Sequence, residues 1–85
     1  MVIFFPSFKK AFQQFLNDKT DGKYDYEALL EDLKQNFLES KYKTYELASD
    51  LTRSGKKEAF SYSVSESKLD GEPLYEFHYF GKYDN

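Results

Sequence analysis

The chain has 85 residues, of which 40% are hydrophobic, 32% charged and 20% aromatic, the composition of one small globular domain rather than a disordered segment. It has no cysteine and a single histidine, His78, which excludes a disulfide framework, a thiolate zinc site, a cysteine nucleophile and a histidine-rich metal cluster within one chain. Fifteen acidic against twelve basic residues give a net charge of −3, which disfavours a general nucleic-acid binder, and no apolar run is long enough to span a membrane.

Met1 to Phe5 is apolar but short, with no basic start and no small-residue cleavage site. It does not read as a signal peptide, and a cytoplasmic location is expected. Val2 to Phe5 is expected as a short strand or an apolar lead-in packed on a sheet. Phe8, Ala11, Phe12, Phe15 and Leu16 then recur at the spacing of one helical stripe. Pro6 suits the first turn, where its missing N–H is not needed, so helix 1 is placed at about 6–17. Asn17 to Lys23 forms a loop, with Asp21-Gly22 as its turn signal.

Asp25 is a good N-cap for helix 2, at about 25–39. Tyr24 and Leu29 stand at hydrophobic-staple positions, and Tyr26, Leu29, Leu30, Leu33 and Phe37 form the buried stripe. The period then changes to two. Tyr45, Leu47, Ser49 and Leu51 alternate with Glu46, Ala48 and Asp50, and Phe60, Tyr62 and Val64 alternate with Ala59, Ser61 and Ser63. Strands are expected at about 43–52, 58–66 and 73–83. Arg53 to Lys56 and Glu66 to Glu72, with Asp70-Gly71, are the turns between them.

The fold class expected is α+β, a single domain over 1–85 in which two N-terminal helices pack on a three-stranded antiparallel meander, with a short N-terminal strand as an option. Along the third strand Tyr75, Phe77, Tyr79 and Tyr83 point one way. Leu74, Phe80, Glu76 and His78 point the other. One helix layer covers one sheet face, so the second row needs a lid: a second copy, a partner, or Val2 to Phe5 folded over it.

Asp18 to Glu27, between two helices, resembles the calcium loop of the EF-hand family. With Gly22 at the sixth position, Asn17 stands first, Lys19 third, Asp21 fifth, Asp25 ninth and Ala28 twelfth. The family places a bidentate Glu at the twelfth position, where Ala28 has no ligand oxygen, and Lys19 occupies a ligand position. A helix-hairpin loop with an Asp N-cap accounts for the same residues. No phosphate-binding glycine loop, nucleophile elbow or Ser–His–Asp order is visible. Glu27 and Glu31, four apart, read as a solvated helix face rather than a catalytic pair. No enzyme activity, cofactor or metal is expected. His78 reads as a strand-surface histidine or a pH-sensitive contact at an interface.

The residues expected to bind a partner are Asp25, Glu27, Glu31, Asp32 and Glu39 of helix 2 with Glu46 and Asp50 of the first strand. Such an acidic surface could steer and dock a basic protein. Tyr75, Phe77, Tyr79 and Tyr83 are expected to form a homodimer or aromatic interface. In size and composition the chain resembles the small proteins with which phages and mobile elements block host factors, DNA mimics among them. That resemblance implies a non-enzymatic inhibitor acting in the host cytoplasm on a basic DNA-binding protein, such as a nucleoid-associated protein, without contacting nucleic acid or membrane. A protein-interaction module using the aromatic strand face, and a degenerate calcium-binding helix–loop–helix, are the alternatives.

Overall fold

A computed structural model describes residues 1–22, 24–38 and 43–79. In chain order it contains β1 (Val2–Phe4), α1 (Pro6–Lys19), α2 (Tyr26–Asn36), β2 (Thr44–Leu47), β3 (Glu58–Ser61), β4 (Ser63–Leu69) and β5 (Glu72–His78). The α+β class is as expected, but the sheet is not a meander. β1 joins β5 in parallel and β4 joins β5 antiparallel, giving a mixed three-stranded sheet in the order β1-β5-β4, while β2 and β3 form a second, antiparallel pair.

The two sheets share one run of chain. β3 and β4 are separated only by Tyr62, whose N–H donates to the Lys43 carbonyl at 2.8 Å. The first half of this run pairs with β2 and the second with β5. Phe60, Tyr62 and Val64 keep their alternation through the join, and the rings of Phe60 and Tyr79 stack at 4.5 Å and those of Tyr62 and Phe77 at 5.4 Å.

Of the lids expected for the second row, the N-terminal segment supplies only the Phe5 ring, edge-on to His78 at 4.2 Å. Val2–Phe4 does not fold over the sheet. It extends it at the edge, with the terminal amino group donating to the Pro73 carbonyl at 2.9 Å and Tyr75 N–H to the Met1 carbonyl at 2.9 Å. Phe4 points inward and packs 4.7 Å from Phe77. Pro73 causes no break, because its missing N–H would face the β1 side, where the Pro73 carbonyl already meets the chain terminus.

The first expected strand is shorter than its alternation suggests. After Leu47 the chain turns through a 3₁₀ segment, Ser49–Leu51. The Thr52 hydroxyl holds this turn by donating to the carbonyls of Ser49 at 3.1 Å and Lys56 at 2.6 Å. Ser, Asp and Thr offer the backbone such local bonds, which compete with a ladder. The second hairpin is tighter than expected. Asp70 (φ 54°) and Gly71 (φ 82°) form a two-residue turn, both in the left-handed region, the geometry that matches strand twist. β4 therefore runs on to Leu69.

Both helices match their stripes. Phe8, Ala11, Phe12, Phe15 and Leu16 of α1 are buried, as are Leu30 and Leu33 of α2 and Phe37 just after it. Phe8 is the hub, with Phe4, Phe12, Phe60, Tyr62 and Phe77 within 6.0 Å between ring centroids. Most of these contacts are edge-on or tilted, the arrangement that ring quadrupoles favour. Asp25 caps α2, its Oδ1 accepting from Ala28 N–H at 3.2 Å. α2 ends at Asn36, earlier than expected, with Phe37 at its C-cap position.

Candidate functional site

The exposed part of α2 carries several acidic residues. Glu27, Glu31 and Asp32 are exposed, and none makes an ion pair among the described residues. Glu27 and Glu31 are one turn apart, so their side chains are neighbours. Gln35 Nε2 donates to Glu31 Oε1 at 2.9 Å, and Asn36 Nδ2 donates to the Asp32 backbone carbonyl at 2.9 Å. Lys34 follows Glu31 by one turn and bounds the patch toward the C-terminus. Asp25 opens it, although its carboxylate is engaged in capping.

Two tyrosines register this charge. Burial, then the Glu27 carboxylate and then Tyr24, raise the Tyr26 phenol, whose hydroxyl donates to the Lys9 carbonyl at 3.0 Å. Burial, and after it the Asp32 carboxylate, push Tyr45 up to about 12. Asp32 thus makes itself felt at β2. Burial alone raises Tyr62.

The other acidic positions do not join this face. Tyr45 and Leu47 point to the helix side, Tyr45 packing 5.5 Å from Phe12, so the exposed Glu46 between them points away. Asp50 is exposed in the 3₁₀ turn after β2. Glu39 lies outside the described residues. Asp25, Glu27, Glu31 and Asp32 thus all belong to α2 or its cap, while Glu46 and Asp50 lie on β2 and in the 3₁₀ turn.

The aromatic row of β5 faces inward, and this corrects the expected interface. Phe77 is 0% exposed. Tyr75 packs on Phe37 at 5.0 Å and Tyr79 on Phe60 at 4.5 Å. These rings complete the core under the helices, so Phe77 has no surface to offer a partner and Tyr75 and Tyr79 offer only part of theirs. Tyr83 lies outside the described residues. The expected direction of the row was right; the helices cover that side.

The loop likened to an EF-hand uses its polar groups locally. Asp25 caps α2, Asp21 Oδ1 lies 3.4 Å from Arg53 Nε, and Asn17 Oδ1 accepts from the Tyr24 hydroxyl. No group of three or more His, Asp or Glu residues converges in a way that could hold a metal, among the described residues. The cleft beside this loop is lined by Asp18, Lys19, Arg53, Ser54 and Glu58, with Lys19 3.7 Å from Glu58.

Two arrangements had no signal in the sequence. Arg53 closes the C-terminus of α1, donating from Nη2 to the carbonyls of Asn17 at 3.0 Å and Thr20 at 2.8 Å and from its backbone N–H to Lys19 at 2.7 Å. These acceptors are main-chain atoms more than thirty residues away, and a carbonyl acceptor leaves no mark in residue type. On the outer face of the sheet His78 Nε2 lies 3.1 Å from Ser65 Oγ, with the Phe5 ring edge-on at 4.2 Å. Ser65 could have been found only from the β4–β5 register, which sets it diagonal to His78.

No family model, curated protein or solved structure matches this chain.

Proposed function

We propose that this protein is a non-enzymatic binding domain that docks the acidic outward side of α2 on a basic protein surface, of the kind that DNA-binding proteins present to phosphates. It acts by occupying that surface, as an inhibitor does. The observation that supports this reading is the set Glu27, Glu31 and Asp32, exposed on α2 and without an ion pair among the described residues, with Glu27 and Glu31 as neighbours one turn apart. Capping explains Asp25, and the helix dipole favours Glu27 in the first turn. Neither explains Glu31 and Asp32, which lie beyond it. Carboxylates placed this way raise encounter rates with a cationic partner and weaken in salt.

The test is capture from a nuclease-treated bacterial lysate on immobilised protein, washed at low and then high salt. A basic DNA-binding protein should be held at low salt, released at high salt, and displaced by added duplex DNA. The triple variant Glu27→Lys, Glu31→Lys, Asp32→Lys should lose that capture while keeping its far-ultraviolet circular dichroism. Undiminished capture by the folded triple variant would overturn the reading.

A further inference from the structure

We propose that two copies of this chain pair antiparallel along the edge of β4 that the described residues leave open, with Ser67 on the two-fold axis and Glu66 of each copy facing Lys68 of the other. The proposal does not rest on the acidic face of α2.

β4 is the edge strand of its sheet: the order is β1-β5-β4, and among the described residues no strand lies beyond it. It spans seven residues, six of them exposed. The opposite edge strand, β1, has only three. The phase of the β4 ladder follows from its ends. The two-residue turn at Asp70-Gly71 makes Leu69 and Glu72 a hydrogen-bonded pair, so Leu69, Ser67 and Ser65 turn their amide groups toward β5. Tyr62 turns its N–H the other way, to Lys43. By alternation, Glu66 and Lys68 present their N–H and C=O groups to the open edge.

An exposed edge is a template for another strand, and proteins often blunt it with charge. A lone lysine there would repel a second copy. Glu66 and Lys68 instead flank Ser67 symmetrically and lie on the same side of the sheet. A two-fold axis through Ser67 brings each glutamate opposite a lysine. The same register makes Glu66 and Lys68 of the two copies hydrogen-bonded pairs, so the free amide groups and the opposite charges are satisfied together. Moving the axis to Glu66 or to Lys68 would set like charges face to face. An edge shaped for an unrelated peptide would have no reason to be complementary to itself, and this argues for a second copy as the occupant.

The test is sedimentation equilibrium across micromolar to millimolar protein. The wild type should be a monomer–dimer equilibrium. E66K and K68E, both at exposed positions, should each weaken it roughly tenfold or more, because two facing pairs become repulsive. Mixing E66K with K68E should restore dimer as a heterodimer, and the double swap E66K/K68E should restore it within one chain. Circular dichroism confirms that each variant is folded. A wild type that stays monomeric throughout, variants that dimerise as strongly as the wild type, or a mixture and double swap that fail to recover dimer would each overturn the proposal. Survival of dimer in the triple variant of α2 would confirm that the two surfaces are separate.

Discussion

The two faces of the β4–β5 pair share the same backbone and differ in almost everything else. On the helix side Val64 meets Phe77, Phe4 and Tyr75 flank them, and α1 and α2 close over the rings. On the other side stand Ser63, Ser65 and Ser67 of β4 with Leu74, Glu76 and His78 of β5 and Ile3 of β1. Only the first face is a core. The second mixes serines and charges with Ile3, Leu69 and Leu74, and the Phe5 ring lies edge-on to His78 there; Phe80, expected in the same row, lies outside the described residues. Reading β5 alone suggested two apolar rows. Pairing it with β4 brings serine against the second row.

The largest effect that sharpens this contrast comes from Phe77. It is fully buried and has ring neighbours in Phe4, Phe8, Phe37 and Tyr62. Phe77→Ala should cost about 3–5 kcal/mol, a large share of the stability of any small domain. Phe77→Leu should cost less and give a foldable comparison in urea denaturation. A loss of less than about 1 kcal/mol for the alanine variant would mean that the helix-covered face is not the core.

Arg53→Ala comes next. It removes the donors that satisfy the Asn17 and Thr20 carbonyls at the end of α1. The side chain is 60% exposed, so water takes over part of the loss, and about 1–2 kcal/mol is expected. Arg53→Lys should recover only part of it, because an ammonium lacks the planar fork. Thermal melts that place the lysine variant level with the wild type would show that charge alone suffices. Asp25→Ala should then cost about 1 kcal/mol through the lost cap to Ala28. That variant also tests whether the acidic face needs Asp25 for binding or only for the helix.

What was legible in the sequence follows the range of the forces involved. The stripes of α1 and α2, the Asp25 cap and the Asp70-Gly71 turn rest on residues within a few positions of one another, and each is where its pattern put it. Phe77 was assigned the right direction but the wrong neighbour, because alternation gives a face and does not say which face the helices cover. β1 beside β5 was out of reach for a similar reason: a parallel pairing between opposite ends of the chain has no local signature. In the candidate site the exposure of Glu27, Glu31 and Asp32 could be read from helical period alone. That Glu46 points away from them needed the packing of Tyr45 on Phe12.

The outer face should respond weakly. Ser65→Ala removes an exposed hydroxyl that lies 3.1 Å from His78 Nε2 and should change stability by no more than about 0.5 kcal/mol. A loss several times larger would give the serine face a structural weight that its exposure does not suggest, and would make the comparison with the helix side less one-sided.

The finest test lies where the core meets the acidic helix. Burial first, and the Asp32 carboxylate second, oppose the Tyr45 phenolate and push its pKa up to about 12. The unfolded chain holds that proton with an ordinary value of 10.0. Below pH 10 both states are protonated and the contribution of Tyr45 to stability is whole. As the pH rises from 10 toward 12 the unfolded chain ionises first, so this contribution falls. Tyr45→Phe should therefore follow the wild type through neutral pH and show a shallower loss of stability above pH 10. Asp32→Asn should flatten the wild-type curve by a smaller amount, since it removes only the second cause. Urea midpoints measured across that range separate the two. If Asp32→Asn left the slope unchanged, α2 would not be close enough to β2 for its charge to be felt there, and the acidic face would end at the helix.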